Sequence, residues 1–451
     1  MCRRSLSTCI FILLPVILSA ANAFSQERVV SLKEAIEQAL IGNPELRANE
    51  RALFAHKEDI GIARSILLPK LIFEERYMRT NNPTYAFMAK LNQERFSADD
   101  LAGAPDTFND PDTLNDFQTS LSFEQALFAP KAYIGVDMAK KEYAAQGDNF
   151  ERKKEEIALN VFRTFVGIQT AKEFVAVTEK GIENAQEHLR IAEARYKSDL
   201  GLYSDMLRAQ VALSAEEEKN VSALKNLAIA KRALGLMMGL TEGVDVEGER
   251  PDLQVRRPEY YNGQALTRKD LKSLETRYRN AGNALKIANA GYLPVVGLGG
   301  SYQLNDHDGA FGDEGRSWQL IAFLRWELFD GTKREHEREK ARQKIAEAGE
   351  YLDGLKKQIS FFVFDAYLTV EEAKKRLELA EHALKSAEEG RRLVKTRYEN
   401  ALSAMVDLLD VQTHLDAARA SVIQKEGEYL TAIANLGFQS GTILKDLEIG
   451  Q

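Results

Sequence analysis

Cysteine is almost absent from this chain of 451 residues: Cys2 and Cys9 are the only two, both within the first ten positions. The rest therefore offers no disulfide framework, no thiol chemistry and no zinc–cysteine site. Histidine is sparse and scattered, at His56, His188, His307, His336, His382 and His414. None shows the i, i+4 spacing of a metal-binding helix, and His336-Glu337 lacks a second histidine where one would be needed. Asn305-Asp306-His307-Asp308-Gly309 is faintly similar to a calcium loop, but the terminal bidentate glutamate is missing, so it reads as a polar hairpin tip. Gly297-Leu298-Gly299-Gly300 lies inside a strand pattern, not between strand and helix, and is no nucleotide loop. With no Ser/His/Asp set either, the chain is expected to be no enzyme and to carry no metal and no cofactor.

A basic stripe is also lacking. Formal net charge is −8, which argues against a nucleic-acid partner. Beyond the N-terminus no apolar run reaches the ~18 residues of a transmembrane helix. If the chain crosses a membrane, strands closed into a barrel must do it. At the N-terminus itself, Arg3 and Arg4 precede the apolar run Ile10 to Leu18 and then Ala21-Asn22-Ala23. This is the pattern of a secretory signal over residues 1–23. Its removal takes the net charge to −10, and no cysteine at the cleavage point suggests a lipid anchor.

What is present is present twice. Arg195-Tyr196 with Asp205, Leu207 and Gln210 recurs 202 residues later as Arg397-Tyr398 with Asp407, Leu409 and Gln412. Gln125-Ala126-Leu127-Phe128 is matched by Trp326-Glu327-Leu328-Phe329, and Leu68-Pro69 by Leu293-Pro294. An internal duplication of about 200 residues follows. The first repeat spans 24–237, with a helix over 31–66 that Gly42-Asn43-Pro44 interrupts, strands over 70–79 and 117–125, a long helix over 131–198 and a helix over 203–236. A connector covers 238–263. The second repeat spans 264–436, with helix 264–290, strands 295–304 and 318–328, long helix 332–399 and helix 404–436. A tail follows at 437–451.

The long helices carry the strongest periodicity. Ile359, Val363, Ala366, Val370, Ala373, Leu377, Ala380, Leu384 and Ala387 follow a 4-3 heptad. Their counterparts Ile157, Val161, Thr164, Ile168, Ala171, Val175, Thr178, Ile182 and Ala185 keep the register. A 3.5-residue period implies a left-handed coiled coil. A helix over 131–198 would be ~100 Å long, suited to a rod or the wall of a tube.

The second strand of each pair alternates apolar with other residues. Phe117, Thr119, Leu121 and Phe123 share one face, as do Trp318, Leu320, Ala322, Leu324, Trp326 and Leu328. Trp318 and Trp326, eight residues apart, would be separated by about 26 Å of strand. Tilted, that approaches the height of the apolar band between the aromatic girdles of a membrane barrel. The first hairpin holds about 24 residues more than the second, in a polar loop over 80–116.

Together these elements resemble the TolC-type outer-membrane efflux and secretion channels. The resemblance covers essentially all of residues 24–451. It rests on Leu32-Lys33-Glu34-Ala35 with Asn43-Pro44-Glu45-Leu46, the Leu-Pro before each first strand, Trp326-Glu327-Leu328-Phe329-Asp330-Gly331, Ala265-Leu266-Thr267-Arg268-Lys269-Asp270-Leu271 and the two Arg-Tyr turns. The resemblance implies an α+β membrane protein, a homotrimer whose four strands per chain close a twelve-stranded β-barrel in the outer membrane. A long α-helical coiled-coil barrel would continue it into the periplasm. Four strands alone are too few to enclose a pore, so association is physically required. The resemblance further implies outer-membrane lipid, a periplasmic adaptor protein and an inner-membrane pump as partners. It places a pore constriction at Asp407, Asp410, Asp205 and Tyr398. Adaptor-docking tips fall at Asp199, Leu200 and Gly201 and at Ala401, Leu402 and Ser403, with Trp318 and Trp326 at the membrane interfaces. Asp407 and Asp410, at i and i+3, share one helix face; an Asp just after a turn is equally suited to capping the helix. The family's turn glycine is replaced by Asp199 and Ala401, and its latching basic residue by Ser403. The other function class compatible with the heptads is a periplasmic or cell-surface coiled-coil adhesion protein, for which two strand hairpins have no use.

Overall fold

The structure, a computed structural model, describes residues 28–102, 105–400 and 402–449. The expected signal over 1–23 and the tip residue Ala401 lie outside them. In chain order the elements are β1 (Arg28–Val30), α1 (Leu32–Gly42), α2 (Pro44–Ser65), β2 (Lys70–Thr80), α3 (Pro83–Asn92), α4 (Ala98–Ala102), α5 (Asp106–Asn109), β3 (Leu114–Phe128), α6 (Pro130–Lys197) and α7 (Tyr203–Met237). There follow β4 (Val244–Val246), α8 (Pro258–Ala265), α9 (Lys269–Ala290), β5 (Val295–Asp306), β6 (Gly315–Arg325), α10 (Lys333–Glu399), α11 (Met405–Ser440) and α12 (Ile443–Asp446). The order helix, strand, strand, very long helix, helix thus occurs twice.

Several expected boundaries shift. The helix over 31–66 is two helices. Ser31 and Glu34 form a capping box on α1, with the Ser31 amide donating to Glu34 Oε2 at 2.9 Å. Asn43 Oδ1 then caps α2 by accepting from Glu45 and Leu46, with Pro44 in its first turn. The loop over 80–116 contains α3, α4 and α5, and β3 starts earlier and ends later than 117–125. Helix 264–290 begins only at Lys269, because α8 precedes it. The 437–451 tail is partly taken up by the last turn of α11 and by α12. The connector supplies β4, which pairs in parallel with β1 (Val30 opposite Val246), a strand the hydrophobic pattern does not reveal.

The four long strands form one antiparallel sheet in the order β2-β3-β5-β6. Paired residues share a face, so the register sorts side chains directly. Phe73, Leu121, Tyr302 and Trp318 lie in line, as do Leu71, Phe123, Gly300 and Leu320. Phe117, Leu298, Val296 and Leu324 complete this apolar face. The other face carries Glu74, Ser120, Gln303 and Ser317, then Ile72, Ser122, Ser301 and Gln319. Gly300 and Gly297 make room for rings: a Cβ at Gly300 would collide with Phe123, and one at Gly297 with Phe323. Both outer strands, β2 and β6, are exposed along nearly their whole length.

Trp326 corrects one expectation. β6 ends at Arg325, so the two tryptophans do not sit eight residues apart on one strand. Trp326 has turned away to donate its indole Nε1 to the carbonyl of Tyr292 at 3.1 Å. Its counterpart in the first repeat, Gln125, donates Nε2 to the carbonyl of Leu67 at 2.7 Å. Leu67 and Tyr292 each precede a Leu-Pro, so two chemically different side chains make the same junction between strand and preceding helix. Below the second junction the buried Arg334 donates to the carbonyls of Glu327 and Leu328, pairs with Asp330 at 3.0 Å and stacks on Tyr292. This ties β6 to the start of α10.

The helices pack as two antiparallel pairs, α6 with α7 and α10 with α11, bridged by α6 against α11. Seam residues Ile157, Val161, Ile168, Ile359, Val363, Ala366 and Val370 are buried. Around the middle of the long helices, α1, β1 and β4 cover α6, while α8 and α9 cover α10 and α11. Four charged groups meet in this belt. Arg152 on α6 pairs with Glu155 at 2.5 Å, donates to the carbonyl of Phe438 at 2.8 Å and stacks on that ring. Arg268 pairs with Asp270 at 2.6 Å and donates to the carbonyl of Gln439 at 2.8 Å. Burial pushes Asp270 upward, but the bonds from Arg268 and the charges of Arg268 and Arg152 outweigh it and leave its pKa lowered. Burial dominates at Glu155 and raises its pKa. The signs therefore oppose. Asp270 stabilises the fold above its ordinary pKa, and that contribution is lost as pH falls through its depressed value. Glu155 costs stability once ionised. At neutral pH Asp270→Asn should lower the thermal midpoint of the protein clearly, because it removes the partner of the buried Arg268. Glu155→Gln should leave the midpoint unchanged or raise it. Equal losses in the two variants would contradict the assignment.

Candidate functional site

The sheet occupies one end of the long helices. At the other, two turns stand side by side. In the first, Ser198 to Leu202 link α6 to α7. Asp199 takes the left-handed conformation (φ 57°), and the amide of Leu200 donates to the carbonyl of Arg195 at 2.9 Å. This is the helix-ending geometry usually given to glycine, and a short Asp tolerates it. In the second turn the amide of Leu402 donates to the carbonyl of Arg397 at 2.8 Å, the same bond in the second repeat. Leu200 and Leu402 are largely exposed, at 79% and 75%. The two turns thus end in apolar side chains that no described residue of the chain covers.

Between the turns lies a small core of Ala192, Ala209, Tyr398, Met405 and Leu408. The two Arg-Tyr motifs have divided their work here. Tyr398 is buried, whereas Tyr196 is exposed and packs at a tilt against Tyr203. Arg195 reaches across from α6 to lay its guanidinium over the Tyr398 ring at 4.6 Å, and its Nη2 donates to the Tyr398 carbonyl at 3.4 Å. This joins the α6–α7 hairpin to the α10–α11 hairpin. Arg195 is visible in the sequence only as a repeated letter; its role needs the cross-hairpin geometry.

The three acidic residues do not converge within one chain. Asp407 lies in the first turn of α11. Its Oδ2 accepts from the amide of Ala404 at 3.0 Å and from Ser403 Oγ at 3.2 Å. The capping role is therefore real, and Ser403 contacts the acid directly. Asp410 is exposed on the same face, with His414 Nδ1 3.6 Å away. Asp205 stands on α7 with Arg208 at 3.5 Å. Gln210 and Gln412, equivalent in sequence, also diverge. Gln412 is buried, accepting from Arg391 at 3.0 Å and donating to Asp416, while Gln210 is exposed. Burial, reinforced by Glu216, raises the Asp416 pKa.

Above the tip, His188 of α6 is 4% exposed, and neither ring nitrogen has a hydrogen-bond partner. Burial lowers its pKa, and Arg391 and Lys395 of α10 lower it further against the opposing charge of Glu187. A depressed folded-state pKa means that the neutral imidazole is compatible with closed packing. That compatibility is lost as pH falls below the ordinary histidine range. Limited proteolysis between residues 187 and 205 should therefore accelerate when pH drops from about 7.5 to about 5. His188→Leu should remove most of that acceleration. An identical pH response in the variant would exclude His188 as its source.

Among the described residues Asp306, His307 and Glu314 at the β5–β6 turn bring possible ligand atoms within 4.8 Å of one another. His307 is, however, already paired with Glu314 at 2.6 Å and Asp308 at 3.0 Å, so the group reads as a turn clasp.

With this geometry in hand, comparison with known proteins is specific. The family profile described as outer membrane efflux protein matches residues 35–240 and 263–442. The chain is 21% identical to outer membrane protein TolC of Escherichia coli (strain K12), over 96% of this chain and 86% of that one. A membrane protein from Pseudomonas aeruginosa superposes with a TM-score of 0.75 at 19% identity, covering 91% of this chain and 93% of that one. The CmeC outer membrane channel of Campylobacter jejuni superposes with a TM-score of 0.73 at 16% identity, covering 91% and 86%.

Proposed function

Because this chain belongs to the outer membrane efflux protein family, we propose that three copies close their sheets into one twelve-stranded barrel and their long helices into one tube, as an internally duplicated chain allows. The protein is an outer-membrane channel that extends into the periplasm, and it acts as a passive conduit, not an enzyme. The observation that carries closure across copies is the four-stranded sheet; the number three is what the family resemblance implies. Among the described residues nothing covers its apolar face, where Trp318 is 77% and Leu320 60% exposed, and its outer strands are unpaired on their far sides. In hydrocarbon both defects disappear only if the apolar face meets lipid and the edges meet one another. An adhesion rod built on the same heptads gives that face nothing to do.

In this reading Trp318 sits in the outer aromatic girdle and Trp326 in the inner one, with the polar sheet face lining the lumen. α6, at 68 residues and about 100 Å, and α10, at 67, run from the membrane to the tips. There Asp407 and Asp410 of three chains form stacked acidic rings, Asp205 adds a ring from the first repeat, and Tyr398 with Arg195 holds the hairpins together. The tips at Asp199, Leu200 and Gly201, and at Ala401, Leu402 and Ser403, receive a periplasmic adaptor. Energy comes from an inner-membrane pump. Ser403 replaces a basic latch by a hydroxyl bonded to Asp407, so closure at the second tip depends on Arg195 over Tyr398 and on the buried Met405 and Leu408.

Two experiments bear on this. Deletion of the gene should sensitise cells to drugs, detergents or metal salts, or abolish secretion of a protein; no change in any of them would remove the support for a transport role. In planar bilayers, Asp407→Asn combined with Asp410→Asn should weaken cation block of single-channel current by about tenfold or more, since opposed like charges in a ring dominate cation binding there. Undiminished block would reduce Asp407 to its capping bond with Ala404.

A further inference from the structure

The first hairpin carries an outgrowth that the second lacks, and its seat on the sheet is informative. The C-cap residue of α3, Gln93, is 1% exposed. Its Nε2 donates to the carbonyl of Asn115 at 2.8 Å and to Asp116 Oδ1 at 2.9 Å. Asp116 accepts in turn from Asn305 Nδ2 at 2.9 and 3.2 Å. Glu94, in the left-handed region at φ 55°, accepts from the amide of Arg316 at 3.4 Å. The carbonyl of Asn92 approaches Gly315 so closely that no Cβ would fit there. α3 is thereby fastened to β3, β5 and β6 together. Phe87 packs against Phe96 and Phe108 at 5.2 and 5.3 Å, giving the outgrowth its own small core.

The register decides which face it occupies. Gly315 pairs with Asn305 and Asn305 with Gln118, and Asp116 is two residues from Gln118. All four positions lie on the polar face. α3 therefore rests on the side of the sheet opposite Phe73, Leu121 and Trp318. Its own apolar residues Tyr85, Met88 and Leu91 remain 59%, 50% and 41% exposed.

We propose that α3 is a lid over the outer mouth of the lumen, an apolar second constriction at the end opposite the helical tips. The inference rests on the barrel reading given above. An apolar sheet face directed to lipid makes the polar face the lumen wall, so a helix stapled to that face at its outer end projects across the opening. Tyr85, Met88 and Leu91 then line the exit with apolar surface, the kind of narrowing that restricts water and ions even where it does not block a larger apolar solute.

Residues 24–451 contain no cysteine, so Met88→Cys introduces a single thiol on an exposed position. The purified variant, processed to residues 24–451, is reconstituted in a planar bilayer, and a bulky polyethylene-glycol maleimide is added on the barrel side. Single-channel current should fall at least about twofold on labelling, with the unsubstituted protein unaffected. Tyr85→Cys should behave alike. Labelling confirmed by a gel shift but with unchanged current at both positions overturns the lid and leaves the channel standing. A protein that conducts no current at all overturns the channel and the lid together.

Discussion

A hydrogen-bond constraint underlies this molecule. Two edges of a four-stranded sheet, β2 and β6, present backbone N–H and C=O groups to whatever lies beside them. In a bilayer nothing but another strand can satisfy them. β2 and β6 run antiparallel to each other, because three antiparallel steps separate them. Sheets from neighbouring copies can therefore join edge to edge and stay antiparallel around a ring, with an even number of strands for any number of copies. Once the sheets are placed this way, α2, α6, α9 and α10, which all start or end at the sheet, are set side by side. In the proposed trimer the coiled-coil seams would give them the spacing of a continuous wall.

The two halves of the chain share an order of elements but not the details. Gln125 and Trp326 make one junction by different chemistry, each reaching the carbonyl before a Leu-Pro. At the tips Tyr398 is buried where Tyr196 is exposed, and Gln412 is buried where Gln210 is not. At the sheet the first hairpin bears α3 and the second a short clasped turn. In the proposed tube each end would have its distinctive feature on a different half of the chain: the lid on the first, the denser acidic face on the second.

Much of this architecture is legible in the sequence because it is periodic. The seam at Ile359, Val363, Ala366 and Val370 and the alternation from Phe117 to Phe123 signal their elements directly. Other features are silent for identifiable reasons. β1 and β4 are three residues each and pair across more than 200 positions, so neither shows a period. α3 is ten residues long, and its anchor, Gln93, looks like any polar loop residue until its amide is seen bonded to Asp116. Trp326 fits the strand alternation, yet its indole N–H finds the Tyr292 carbonyl and leaves the strand. Arg195 acts only through the ring of a residue 203 positions away. Asp407 is intermediate: position predicts both an acidic ring and a helix cap, and a single chain displays only the cap.

The most direct test of the central claim is an image of the protein extracted from the outer membrane in mild detergent, by single-particle electron cryomicroscopy. Closure across copies predicts a three-fold particle with twelve antiparallel strands, β2 of each chain bonded to β6 of the next, the apolar face with Trp318 outward and α3 inside the mouth. A monomer, or a particle in which the β2 and β6 edges stay unpaired, would contradict it.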